Sequence, residues 1–155
     1  MLSSQESLNT TQAIASLRRI HHIGLYVRDM KASRHFYGGI LGLHELTGDE
    51  LPEAWVELVA TGEATFLVTP DGTLISLFWK PDLAPPDPDP HRAFTRVNHL
   101  AFDIDPQLFD YTVEVLRQHQ VTIDHGPVSR PTGRGIYVYD PDGFLIELRC
   151  DPINV

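Results

Sequence analysis

Three residues of the types that bind divalent metal ions occur at matching places in an internal repeat. A Pro-Asp-Gly block followed by a mostly apolar run begins at Pro70 and again at Pro141. Upstream of each copy lies a strand-like segment with a histidine, His22 in the first copy and His99 in the second. The second apolar run also carries Glu147. Two histidines and one carboxylate form the ligand set of an open metal site, so we predict a metal site at these three residues.

The predicted strands place these three side chains on the sheet faces that do not pack under helices. Successive side chains of a strand point to opposite faces of the sheet. His22, His99 and Glu147 therefore stand opposite the apolar residues that flank them, away from the faces that pack under helices. If each half of the chain curls its sheet, we expect the three residues to converge inside a cup.

The repeat divides the chain into two halves of the same predicted order, strand–helix–strand–strand–strand. We expect a loose arm over residues 1–17, one module over 18–80, a proline-rich linker over 81–95 and a second module over 96–155. The linker has five prolines in the ten residues from Pro81 to Pro90, a composition typical of an extended connector. The fold class is α+β, with two tandem βαβββ modules that form a curved, cup-like mixed sheet around a metal site.

Local patterns predict the individual elements. In the first module, Asp29 is expected to cap a helix that ends at Gly38-Gly39. Asp105 is expected to cap the helix of the second module, which runs to about His119. Strands are predicted over residues 20–27, 54–60, 64–69, 73–79, 97–104, 135–139 and 144–150, with a weaker extended segment over 121–130.

Composition excludes several classes of function. The chain has 155 residues, enough for one domain with a real core, and a formal net charge of −9 with twelve scattered basic residues, which disfavours nucleic acid as a partner. No apolar run approaches the roughly 18 residues of a membrane span. Cys150 is the only cysteine, so no intrachain disulfide is possible, and the first residues lack the pattern of a secretory signal. We expect a cytoplasmic protein.

Several motifs together resemble the vicinal oxygen chelate superfamily, which includes glyoxalase I, bleomycin- and fosfomycin-resistance proteins and extradiol dioxygenases. The motifs are His-Ile-Gly-Leu-Tyr-Val at 22–27, Phe36-Tyr37 with Ile-Leu-Gly-Leu at 40–43, and Asp-Pro-Asp-Gly-Phe-Leu-Ile-Glu-Leu at 140–148. The resemblance covers about residues 18 to 151. It implies paired βαβββ modules and one divalent metal ion, with Fe(II) favoured, held by His22, His99 and Glu147. It also implies a small chelating substrate, and we expect a homodimer.

Departures from the family patterns guide the choice of reaction. Glyoxalase I-like enzymes have a fourth protein ligand where this chain has Ser76, a poor ligand, so a three-ligand site is expected. Extradiol dioxygenases have such a site with Fe(II), and their signature includes a tyrosine that Tyr137 matches. Our first hypothesis is therefore an Fe(II) dioxygenase of small catechol-like substrates, in which Tyr137 contacts the substrate hydroxyl and His125, from a shifted loop, serves as acid or base.

Two alternatives stay open. One is a lyase, isomerase or thiol transferase that uses Mn(II), Ni(II) or Zn(II), as in glyoxalase-like or fosfomycin-resistance-like enzymes. The latter need an anion-binding pocket, to which Arg130, Arg134 and Arg149 could contribute, but for Arg130 and Arg134 we favour a flexible, solvated Gly/Pro loop. The other is a non-catalytic module that binds an antibiotic or another ligand. Aromatic residues expected in the cup of the first module, or at its back, would suit a planar ligand: Trp55, Phe66, Phe78 and Trp79.

Overall fold

The fold is described from a computed structural model over residues 19–92 and 97–153. The arm predicted over residues 1–17 lies outside the described residues, as do residues 93–95 at the end of the predicted linker and residue 96 at the start of the second module. Within the described ranges, no helix is long and apolar enough to cross a membrane.

Module 1 is a four-stranded mixed sheet with a helix on one face. Its strands are β1 (His22–Val27), β2 (His44–Glu45), β3 (Ala64–Val68) and β4 (Leu74–Trp79), in the spatial order β1-β4-β3-β2. β1 and β4 are parallel, whereas β3 is antiparallel to both of its neighbours. The turn between β3 and β4 is the predicted Pro-Asp-Gly turn, in which Gly72 has the positive φ of +86° that favours glycine.

The module 1 helix is longer than predicted. It begins at α1 (Met30–Arg34), where the Asp29 carboxylate accepts the Ala32 N–H at 3.0 Å as expected, and continues as a π-helical segment over His35–Ile40. Gly38-Gly39 therefore does not end it. A Cβ on Gly39 would lie 2.9 Å from His35 Nδ1, so this glycine makes room for a neighbouring side chain instead of stopping the helix.

The strand predicted over residues 54–60 is wrong, because the segment forms α2 (Glu53–Ala60). Its tryptophan and valines favour a strand, but Trp55, Leu58 and Val59 also have the i, i+3, i+4 spacing of one helix face. Trp55 stacks on Phe66 of β3, with ring centroids 4.1 Å apart and an interplanar angle of 17°. This contact places α2 against the sheet of module 1.

Module 2 repeats the order after the linker, which includes a short 3₁₀ turn at Pro90–Arg92. Its elements are β5 (Leu100–Asp103), a 3₁₀ turn at Pro106–Leu108 capped by Asp105, α3 (Phe109–Gln118), β6 (Ile123–Arg130), β7 (Gly133–Tyr139) and β8 (Leu145–Cys150). The strand order β5-β8-β7-β6 matches that of module 1, again with the first and last strands parallel. The weak extended segment is thus a full strand, and His99 lies one residue before β5. The predicted α+β fold of two βαβββ modules is confirmed.

One continuous apolar core joins the two modules. It contains Phe36 and Tyr37 from the module 1 helix, Phe109 from α3, and residues of both sheets such as Leu77 and Ile146. These side chains alternate with the residues that face away from the helices, as strand geometry requires. The faces opposite the helix that begins with α1 and opposite α3, called here the cup faces of modules 1 and 2, carry the candidate site residues; α2 covers part of the module 1 cup face through Trp55.

Two hydrogen bonds cross between the modules at the second Pro-Asp-Gly turn. The Tyr37 hydroxyl donates to Asp140 Oδ2 at 2.7 Å, and the Arg28 N–H donates to Asp142 Oδ1 at 3.1 Å. Asp140 Oδ1 accepts the N–H groups of Asp142 and Phe144, so its carboxylate also closes the turn. Burial, together with the charge of Asp142, raises the pKa of Asp140, and burial beside Asp140 raises the pKa of Tyr37.

Candidate functional site

The cup face of module 2 brings together two of the predicted ligands. His99 Nε2 lies 3.0 Å from Glu147 Oε2, and both side chains are partly buried. Asn98 Oδ1 contacts the other ring nitrogen of His99, Nδ1, at 2.7 Å. An outer partner of this kind orients a metal-binding imidazole. His99 therefore has one nitrogen held by a neighbour and the other directed to a carboxylate.

The donor spacing fits a metal ion. Two ligands that bind one ion at about 2.1 Å and at right angles have donor atoms about 3.0 Å apart. The separation of His99 Nε2 and Glu147 Oε2 equals that distance. Gly135 on β7 leaves room for the carboxylate, since a Cβ there would lie 3.3 Å from Glu147 Oε1. The same 3.0 Å separation also suits a direct hydrogen bond, so these two residues form a pair of adjacent donors with or without an ion.

The third predicted ligand lies elsewhere in the same chain. His22 is exposed on the cup face of module 1, and its Nδ1 is 3.0 Å from the Nδ1 of His21. Among the described residues no three His, Cys, Asp or Glu side chains are placed to hold one metal ion. Convergence of all three ligands in a single chain, expected from the curl of each sheet, is therefore not observed.

Tyr137 and His125 lie beside the His99–Glu147 pair. Tyr137 is the register partner of Glu147 on one side and of His125 on the other. The His125 ring stacks on the Tyr137 ring at a centroid distance of 4.1 Å and an angle of 14°. The Tyr137 ring meets the His99 ring edge-on at 5.9 Å. The two residues predicted to contact substrate thus share the cup face of module 2 with two candidate ligands.

The environment of His125 was not foreseen from the sequence. Asp124 Oδ2 is 2.5 Å from His125 Nδ1, while Asp124 Oδ1 accepts the Tyr139 hydroxyl at 2.5 Å and lies 3.2 Å from His91 Nε2 of the linker. Burial alone would raise the pKa of Asp124, but the hydrogen bonds from Tyr139 and His125 outweigh it and lower that pKa. The adjacent Asp-His pair in the sequence was the available signal. A carboxylate that stays ionised can fix which nitrogen of His125 carries the proton.

Arg130 is the arginine of this face that points to the site. Its Nη1 donates to the Tyr137 hydroxyl at 3.0 Å. That hydrogen bond, the Tyr137 oxygen and the charge of Glu147 raise the pKa of Arg130. Arg134 is held by Asp110, and Arg149 by Asp103 and Asp151. Arg130 and Arg134 belong to β6 and β7, so the solvated-loop interpretation of both residues is wrong.

A deep concavity lies apart from these residues. It is an apolar groove on the helix side of the sheets, lined by residues that include Ile23, Ile40, Phe102, Tyr111 and Leu116. None of the candidate ligands lines it. The chemistry-bearing side chains are instead on the two open cup faces.

Paired βαβββ modules with metal-binding residue types on their cup faces define a class of small two-module proteins. The chain belongs to the Glyoxalase/Bleomycin resistance protein/Dioxygenase superfamily, whose family model matches residues 19–148. This match confirms the resemblance to the vicinal oxygen chelate superfamily.

Individual relatives carry different activities in their names. The chain is 32% identical over 136 residues to metallothiol transferase FosB of Staphylococcus epidermidis, covering 87% of this chain and 83% of that protein. It is 30% identical over 132 residues to lactoylglutathione lyase of Escherichia coli O157:H7, covering 84% and 90%. A crystal structure of a glyoxalase/dioxygenase from Nostoc punctiforme is 60% identical, with a TM-score of 0.87 over 95% of this chain and 100% of that one.

Proposed function

We propose that this protein is a divalent-metal-dependent enzyme that binds a small substrate through two adjacent oxygen atoms. The observation that carries the proposal is the pair of donors His99 Nε2 and Glu147 Oε2, 3.0 Å apart on the cup face of module 2. His22 occupies the repeat-related place in module 1. Three protein ligands leave neighbouring positions of the ion free for a chelating substrate.

The complete site is proposed to form between two chains. His22 is exposed on one cup face, whereas the His99–Glu147 pair lies on the other, and the described chain holds no three-ligand group. In a symmetric dimer the module 1 cup of one copy would face the module 2 cup of the other. Each of the two equivalent sites would then contain His22 from one copy and His99 with Glu147 from its partner.

The reaction we favour is a transfer or lyase reaction in which the metal acts as a Lewis acid. The names of two relatives support this choice, a metallothiol transferase and a lactoylglutathione lyase. Mn(II), Ni(II) or Zn(II) would supply charge stabilisation when bound. Arg130, aimed at the Tyr137 hydroxyl beside Glu147, would orient an anionic group of the substrate.

An Fe(II) extradiol dioxygenase is the second candidate, and one observation favours it. His125 stacks on Tyr137 next to Glu147, and Asp124 contacts its Nδ1. With Nδ1–H directed to Asp124, His125 Nε2 is left to accept a proton from a catechol hydroxyl, and Tyr137 would contact the substrate oxygen. Oxygen uptake with a catechol panel would distinguish this reaction from Lewis-acid chemistry.

Anaerobic metal titration tests the proposal. Metal-free protein is titrated with Fe(II), Mn(II), Ni(II) and Zn(II), alongside Glu147→Gln and the control Glu114→Gln, which changes an exposed carboxylate on α3. We expect tight binding of at least one ion, lost in Glu147→Gln and kept in Glu114→Gln. Preferential Fe(II) binding would favour the dioxygenase. Equal failure of all three proteins to bind any ion would contradict the metalloenzyme and leave a ligand-binding module.

A further inference from the structure

The cup face of module 1 exposes aromatic side chains next to the candidate ligand His22. Tyr26 and Phe78 are register partners on β1 and β4 and share the face of His22. They are 64% and 38% exposed, although large aromatic rings contribute most when buried. Phe66, on the same face of β3, is by contrast buried under Trp55 of α2. Helix α2 thus covers the part of this face on β3 and leaves the part near the edge strand β1 open.

Gly24 lies between His22 and Tyr26 on this open part of the strand. Its φ is not in the positive region, and a Cβ there would meet only the Phe78 ring, at 3.4 and 3.9 Å. Neither the backbone nor packing therefore requires glycine at this place. Glycine within a strand often marks a site where a ligand approaches the backbone closely. At about 3.3 Å per residue, Gly24 is about 7 Å along β1 from His22, next to the edge of the Phe78 ring.

The side chains around Gly24 on this face are mostly apolar. β1 contributes His22, Gly24 and Tyr26 to the module 1 cup face. The strands β3 and β4 contribute the following side chains: Ala64, Phe66, Val68, Leu74, Ser76 and Phe78. Lys80 Nζ lies 5.7 Å from the centroid of the Tyr26 ring and is also paired with Asp82, so one region of that ring is already engaged. Phe78 is therefore the main ring available to a ligand over Gly24.

We propose that the cup face of module 1 binds a planar aromatic group of the substrate, over Gly24 and against Phe78, next to the oxygen pair that binds the metal. This inference rests on the proposed function and names its substrate class: a small chelating molecule with an aromatic ring. The nearby cation, Lys80, is already paired with Asp82, so a charged group over Gly24 and Phe78 would lose hydration without a free partner there, whereas a ring gains apolar and edge-to-face contact. Any anionic group of the substrate belongs instead near Arg130 on the facing module.

Three hydroxy acids that share one chelating oxygen pair test the proposal. Lactate has a methyl group, mandelate a phenyl ring, and hexahydromandelate a non-planar ring of similar size. Their affinities for the metal-loaded protein are measured by calorimetry. We expect mandelate to bind about tenfold more tightly than lactate and clearly more tightly than hexahydromandelate, because an aromatic pair adds attraction beyond burial of area.

Variants assign the preference to this face. Phe78→Leu keeps an apolar side chain and is expected to make the affinities for mandelate and hexahydromandelate equal. Gly24→Ala adds a methyl group where the ring would lie and is expected to weaken the binding of mandelate without weakening that of lactate. Tyr111→Leu, a change at an exposed aromatic of α3 outside both cup faces, is expected to change nothing. Circular dichroism checks that each variant is folded.

The outcomes separate the two proposals. Equal affinities for the three acids in the unmodified protein, or a mandelate preference that survives Phe78→Leu and Gly24→Ala, would overturn the aromatic subsite and leave the metal site standing. Tight metal binding without binding of any of the three acids would contradict both the chelating substrate and the subsite. Absence of metal binding would contradict the proposed function itself.

Discussion

Tyr37→Phe removes one oxygen atom from the contact that joins the two modules. The Tyr37 hydroxyl is buried and donates to Asp140 Oδ2 at 2.7 Å, and Asp140 is only 7% exposed. The other oxygen of that carboxylate accepts the two N–H groups of the turn. Without the hydroxyl, Asp140 Oδ2 keeps its burial and loses this donor.

The expected loss of stability follows from that geometry. A buried acceptor left without its donor costs about 1–3 kcal/mol, toward the upper part of the range when the acceptor is a carboxylate. We therefore expect Tyr37→Phe to lower the free energy of unfolding by about 2 kcal/mol. For a chain of this length that corresponds to a fall in Tm of about 4–8 °C. Urea unfolding at one fixed protein concentration is the assay, because association would otherwise change the apparent stability.

Tyr111→Phe is the matched control, since it removes a hydroxyl from a side chain that is 70% exposed on α3. Its effect is expected to stay within about 0.5 kcal/mol. Asp140→Asn and the double variant complete a cycle that isolates the interaction between the two side chains. Equal midpoints for Tyr37→Phe and Tyr111→Phe, or strict additivity with Asp140→Asn, would refute the role given to this hydrogen bond.

Three further predictions follow from contacts near the site and the turn. Gly135→Ala places a Cβ about 3.3 Å from Glu147 Oε1, and we expect at least tenfold weaker metal binding with unchanged circular dichroism. Unchanged metal affinity would show that Gly135 is not needed to make room for the Glu147 carboxylate. Burial raises the pKa of Asp140, so the contribution of this carboxyl group to stability is present below the ordinary Asp pKa and is lost as pH rises. The free energy of unfolding of Asp140→Asn, measured with urea, should therefore rise relative to that of the unmodified protein between pH 4 and pH 8. A difference between the two proteins that does not change with pH would contradict this prediction. Burial, then the hydrogen bond to Asp124 and its charge, raise the pKa of Tyr139 to about 12, and Asp124→Leu should lower it in an alkaline pH-jump absorbance titration.

Much of the fold was predictable because its signals are local. Period-2 alternation indicated β1, and the two Pro-Asp-Gly turns indicated both hairpins. The error at α2 arose where β-forming residues also had helical spacing, and packing of Trp55 on Phe66 belongs to the tertiary structure. The π-helical continuation through Gly38-Gly39 depends on how His35 packs, which no local pattern records.

The candidate site was predictable in part for a similar reason. Repeated positions indicated His99 and Glu147, and neighbouring parallel strands bring such residues together. The position of His22 depends on how the modules dock, and therefore on long-range contacts such as Tyr37–Asp140. Arg130 was named as a candidate for an anion-binding pocket, but its contact with Tyr137 was not predicted, because register shifts within β6 near a Gly-Pro pair set that approach.

In the proposed dimer, each metal site takes His22 from one copy and His99 with Glu147 from the other. The most direct test pairs His22→Ala with Glu147→Ala in a heterodimer isolated through two different affinity tags. Such a heterodimer would contain one intact site and one that lacks both residues. We predict one tight metal ion per heterodimer and none in either parent homodimer. A heterodimer that binds no better than its parents would show that the ligands belong to a single chain and would contradict the two-chain site.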